Sequence, residues 1–101
     1  MAVETRVSED GNLLIISING AFDFALLNDF RKAYSNDECT PNKFIVDLRS
    51  TSTIDSSALG MLLNMKRHLN KPDGEIKIIN CNDVIKKVLR ITSFNKKFTI
   101  E

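Results

Sequence analysis

The chain has 101 residues, 43% of them hydrophobic, which is enough apolar side chain for one core and predicts a single domain over residues 1–101. Fourteen basic and thirteen acidic side chains leave a formal charge of +1, which provides little long-range attraction to nucleic acid or an anionic membrane, so a protein partner is expected. The apolar runs fall short of the ~18 residues of a membrane span, and the start at Met1 lacks a signal peptide's apolar stretch, so a cytoplasmic protein without direct membrane insertion is expected.

Val3, Thr5 and Val7 alternate with Glu4, Arg6 and Ser8, the period-two pattern of a strand with one solvated face. Asp10-Gly11-Asn12 makes a turn, and LLIISING, residues Leu13 to Gly20, reads as a strand covered on both faces and paired with the first as a hairpin. Asp23 can cap a helix that places Leu26, Leu27, Phe30, Ala33 and Tyr34 on one face and ends near Asn36. Pro41-Asn42 punctuates the next connection, and FIVDL from Phe44 to Leu48 has the composition of a central strand. The segment RSTSTID follows as a connection, after which Asp55 and Ser56 offer successive capping side chains to a helix beginning at about Ser56. At 100° per residue, Ala58, Met61, Leu62, Met65 and Leu69 form the inner stripe of that helix, and Lys71-Pro72-Asp73-Gly74 ends it. Glu75 to Asn80 is a further short strand. Asn82 or Asp83 caps a third helix whose buried stripe is Val84, Ile85, Val88 and Leu89, and Phe98 and Ile100 suggest a last edge strand. The order β-β-α-β-α-β-α, with crossover helices between strands, predicts an α/β sandwich with a mixed sheet of four to five strands and helices packed against it.

Chemistry concentrates at the start of the middle helix. Leu59 and Leu63 lie outside the inner stripe beside Lys66 and Arg67, and form either a docking patch or a pair that neighbouring elements cover. Gly60 lies in the early turns of the helix, where glycine costs about 0.8–1 kcal/mol relative to alanine, and close approach by another backbone would explain it. Ser56 sits at the positive end of the helix, either as a simple cap or as a phosphate acceptor, since about −1.5 to −2 charges are well tolerated there. A catalytic role for Ser56 needs a base within about 3 Å, but His68 is about 18 Å further along the helix, so no enzyme activity is expected. Asp23, Asp47 and Asp55 are too unevenly spaced to argue for a metal, and no GxGxxG or GxxxxGKS/T loop marks a nucleotide site, so no cofactor is expected. Cys39 and Cys81 read as reduced, buried thiols, and Lys86, Lys87, Arg90, Lys96 and Lys97 as solvated surface.

FIVDLRSTSTIDSSALGMLL, residues 44 to 63, resembles the STAS family, in particular the anti-sigma factor antagonists of bacterial partner-switching systems. The family pattern is a hydrophobic strand ending Asp-Leu, a loop, and Asp-Ser-Ser-Gly-Leu-Gly opening a helix. GAFD at Gly20 to Asp23 and IINCNDVIKKVL before FTI agree with it, so the resemblance spans nearly the whole chain. It implies that Ser56 is phosphorylated by a serine kinase that is also the binding partner. By the same resemblance Asp23, Asp55, Ser57, Leu59 and Gly60 are partner-binding residues, to which the surface pair adds Leu63. The implied function is a phosphorylation-controlled switch whose unphosphorylated form binds an anti-sigma-factor-like kinase or phosphatase regulator. A structural subunit of a membrane transporter assembly is the alternative. Ala58 stands where the family has glycine, Phe24 and Leu26 follow Asp23 where polar or small residues are commoner, and the sequence ends at Glu101 without the long terminal helix of many relatives.

Overall fold

Gly11, at φ 73°, lets the chain reverse after Ser8, and the Asp10 carboxylate fixes the turn by accepting from the Ser8 hydroxyl and the Asn12 N–H at 2.5 and 3.0 Å. The turn joins β1 (Val3–Val7) to β2 (Leu13–Ile18) as the expected antiparallel hairpin in the computed structural model, which describes residues 2–35 and 41–101. The chain then turns at Gly20, φ 85°, into β3 (Gly20–Phe22), a short 3-10 turn over Phe24–Leu26, and α1 (Leu27–Tyr34). β4 (Lys43–Asp47), β5 (Thr51–Ile54), α2 (Ser56–Leu69), β6 (Ile76–Ile79), α3 (Asp83–Ile91) and β7 (Thr99–Ile100) complete the order.

The main sheet runs β1-β2-β4-β6-β7, with every pair after the hairpin parallel, and α1, α2 and α3 supply the crossovers that parallel neighbours require. The result is an α/β domain with a mixed sheet, as the element order predicts. Two segments depart from the sequence reading. RSTSTID holds the strand β5, and LLIISING ends at Ile18, with β3 resuming after Asn19; β3 and β5 pair in parallel as a separate two-stranded sheet. β5 is anchored to the end of β2 by Thr51, a buried polar side chain whose hydroxyl donates to the Ile18 carbonyl at 2.8 Å.

One face of the main sheet carries the core. Leu14, Ile16 and Ile18 of β2, Phe44 and Val46 of β4, and Ile76 and Ile78 of β6 are buried against Phe22, Phe30, Tyr34 and the α2 stripe Ala58, Met61, Leu62 and Met65. The rings of Phe22 and Phe30 meet at 5.2 Å between centroids, and Phe30 and Tyr34 at 5.5 Å. Leu13, Ile15 and Ser17 alternate with these and are only half-buried, so β2 is covered fully on one face rather than on both. Leu69 is likewise half-buried at the end of its stripe. Ile85 and Leu89 bury α3 as expected, but Val84 is 67% exposed, because it lies about 100° round the helix from Ile85 and faces away from the sheet. Cys81 is a free, half-buried thiol whose pKa burial pushes up, and Cys39 falls outside the described residues. Among the described residues no helix is long and apolar enough to cross a membrane.

Candidate functional site

The short β3–β5 pair builds the site. Phe22 and Ile54 are its last partners, so Asp23 and Asp55 leave adjacent strand ends together, and the Asp55 N–H reaches the Phe22 carbonyl at 3.4 Å. Each aspartate then caps the turn that follows it. Asp23 accepts from the Ala25 N–H at 3.0 Å, opening the 3-10 turn that leads into α1. Asp55 accepts from the Ala58 N–H at 2.9 Å and from the Ser57 hydroxyl at 2.6 Å. The Ser57 hydroxyl first, and then the Ala58 N–H, hold the exposed Asp55 carboxyl below its ordinary pKa.

This division of labour separates the two serines. The cap of α2 is Asp55, which leaves Ser56 as the first helical residue, exposed and with no hydrogen bond from its hydroxyl to any described residue. Ser57 is half-buried and its hydroxyl is engaged by Asp55. The first-turn N–H groups of α2 lack intrahelical acceptors, so the surroundings of Ser56 favour negative charge.

Leu59 and Leu63 fall between the two readings of the sequence: both are half-buried and pack on the margin of the core. Gly60 is exposed between them, and a Cβ there would meet nothing within 4 Å. Nothing in the packing of the described residues therefore requires glycine at this position. Phe24, one residue after Asp23, is 67% exposed and stands out beside the same strand ends. Sequence reasoning gave it no role. Its signal was an apolar residue placed directly after a capping aspartate and off the stripe that Leu26 and Phe30 bury.

His68 lies in the final turn of the same unbroken helix that Ser56 opens, with its ring 5.4 Å from that of Tyr34. Asp47 is occupied structurally, accepting from the Asn80 amide at 2.9 Å and the Arg49 N–H at 3.0 Å. Among the described residues no three His, Cys, Asp or Glu side chains gather as a metal site.

The STAS domain family model matches residues 4–101. A STAS-domain containing protein of Pseudomonas aeruginosa (strain UCBPP-PA14) is 42% identical over 99% of both chains. Among solved structures, a putative anti-sigma factor antagonist from Thermotoga maritima superposes with a TM-score of 0.80 at 20% identity, over 97% of this chain and 84% of that one. The Bacillus cell fate determinant SpoIIAA in its phosphorylated form gives 0.71 at 18% identity, over 99% and 91%. A sulfate transporter family protein from Wolinella succinogenes gives 0.73 at 21% identity, over 92% and 80%. These structural likenesses establish a shared fold, and together with the match over residues 4–101 and the 42% identical relative they show that the chain belongs to the STAS domain family.

Proposed function

We propose that this chain works as a single STAS unit in the cytoplasm, as a switch controlled by phosphorylation of Ser56. In the unphosphorylated state it binds a protein partner carrying a serine kinase or phosphatase domain of the anti-sigma factor type, and the phosphate weakens that complex. The observation that carries the reading is the contrast between the serines, with the Ser56 hydroxyl exposed and unengaged on a helix already capped by Asp55. A phosphate at this position adds about two negative charges at a helix start that tolerates them, so it changes the interface while leaving the fold intact. Asp23, Asp55, Ser57, Leu59, Gly60 and Leu63 surround it as the docking surface, and the open space over Gly60 gives a partner backbone room to approach. The fold likeness to a transporter family protein is compatible with a fixed subunit of a membrane assembly, in which Ser56 would stay unmodified.

Phosphopeptide mapping of the protein recovered from its native cell, with identification of co-purifying chains, tests the reading. The expected result is phosphate on Ser56 and a kinase-like partner. Calorimetric titration with that partner should show Ser56→Ala binding within about twofold of wild type and Ser56→Asp at least tenfold weaker. Phosphate confined to Ser57, or equal affinity for both variants, would overturn it.

A further inference from the structure

β1 is an edge strand, and its free side is exposed: all its residues after Val3 are solvent-accessible, Val7 to 43%. The ladder fixes which backbone groups point outward. The Asn19 N–H bonds the Ala2 carbonyl and the Ser8 N–H bonds the Leu13 carbonyl, at 2.8 and 3.0 Å, so even-numbered residues exchange bonds with β2. In an antiparallel ladder bonded and non-bonded pairs alternate, which leaves the N–H and C=O groups of Val3, Thr5 and Val7 facing away from β2. No element among the described residues pairs with them.

The sequence of this edge, Val-Glu-Thr-Arg-Val, is symmetric about Thr5 except that the charge changes sign. We infer that β1 is a self-association edge, pairing antiparallel with β1 of a second copy about a two-fold axis through Thr5. In that register Val3 exchanges hydrogen bonds with the partner's Val7, and Thr5 with the partner's Thr5. Glu4 lies opposite the partner's Arg6 in the non-bonded pairs, where side chains approach most closely. Moving the axis to Glu4 or to Arg6 sets like charges against each other. Charged residues commonly protect sheet edges from pairing; here their order favours one register of the antiparallel pair. The same contact places the exposed Val7 against the partner's Val3 and merges the two main sheets into one. It rests on β1 alone and holds whatever the role of Ser56. A five-residue edge is a small interface, so the dimer is weak and reversible, with a dissociation constant above about 1 µM.

Sedimentation of the whole chain from about 1 µM to about 1 mM tests the inference. Wild type should pass from monomer to dimer over this range, and Glu4→Arg and Arg6→Glu alone should each weaken association at least tenfold. An equimolar mixture of these two variants should associate as wild type does, because every arginine then faces a glutamate; the double variant Glu4→Arg/Arg6→Glu should do the same. Thr5→Pro removes an N–H that faces outward, so it should abolish association with little change in melting temperature. A wild type that stays monomeric at ~1 mM, or single variants whose mixture does not regain association, would overturn the inference.

Discussion

At the start of α3 the capping side chain is an amide with both ends occupied. Asn82 accepts from the Ile85 N–H at 2.8 Å while its amide donates to the Thr51 and Ser52 carbonyls at 3.4 and 3.3 Å, tying the helix to β5. At the start of α2 the cap is a carboxylate that only accepts, and both of its protein donors, Ser57 and Ala58, belong to its own helix. The capping side chain of α3 is stitched into the fold, whereas that of α2 is completed within its own helix, with the Asp55 N–H alone reaching β3, and Ser56 is left exposed. The same capping position thus produces a structural joint where the side chain is an amide and a presented hydroxyl where it is a carboxylate. A residue can be modified without disturbing the protein only where the cap does not depend on it.

Breaking the presented side of this contrast should give the largest effect. Leu63→Lys should weaken partner binding by more than ~2 kcal/mol while costing the half-buried helix margin about 1–2 kcal/mol of stability, read by titration and thermal melting. Normal binding by a folded variant would move the docking surface to another face. On the stitched side, Asn82→Ala should cost about 1–2 kcal/mol in chemical denaturation and leave partner affinity unchanged. Asn82→Asp keeps the acceptor for Ile85 but not the donors to β5, so it should recover only part of that loss. Gly60→Ala sharpens the comparison by separating fold from function. With no neighbour for the added methyl group, it should stabilise the fold by about 0.8–1 kcal/mol and still weaken the partner complex. The smallest effect concerns pH. Because the Asp55 carboxyl titrates lower in the folded chain than in the unfolded one, its contribution is complete above about pH 4 and is lost as the pH falls through the folded pKa. Asp55→Asn should make that acid limb of the stability profile shallower, while Asn82→Ala, which adds no titratable group, should not alter its slope.

Most of the framework was legible because it rests on local signals. The hairpin turn, the capped starts of α2 and α3 and the central strands each show in a few neighbouring residues, whereas Asp23, expected to cap the first helix, caps the 3-10 turn before it and α1 starts at Leu27 without a side-chain cap. β3 and β5 did not show in this way, since Gly20–Phe22 and Thr51–Ile54 are short, and the second is mostly hydroxyl-bearing. What makes them strands is their pairing across the chain and the buried Thr51 hydroxyl, neither of which a local pattern contains. The missed pair is also the element that brings Asp23 beside Asp55. The family resemblance could therefore name Asp23 and Asp55 as candidate site residues but not explain why they meet. It likewise left open which of Asp55 and Ser56 caps α2, a choice decided by the geometry that turns the Asp55 carboxylate onto Ser57 and Ala58. Val84 was misplaced by a single position of helical phase, an error that a stripe of four β-branched and aliphatic residues invites.

The strand order has a kinetic consequence. Only β1 and β2 are joined by a tight turn; β2 with β4, β4 with β6, and β3 with β5 all pair segments roughly thirty residues apart. Closing those loops costs chain entropy before the contacts repay it, so the hairpin can form within microseconds while the rest of the sheet assembles more slowly. β2 is the inner neighbour of both phases, and until β4 arrives one of its edges stands open with Leu14, Ile16 and Ile18 uncovered. The interval between hairpin and sheet is when this chain is most exposed to mispairing with another, and mutations that slow docking of β4 should lower the yield of folded protein more than their effect on final stability suggests.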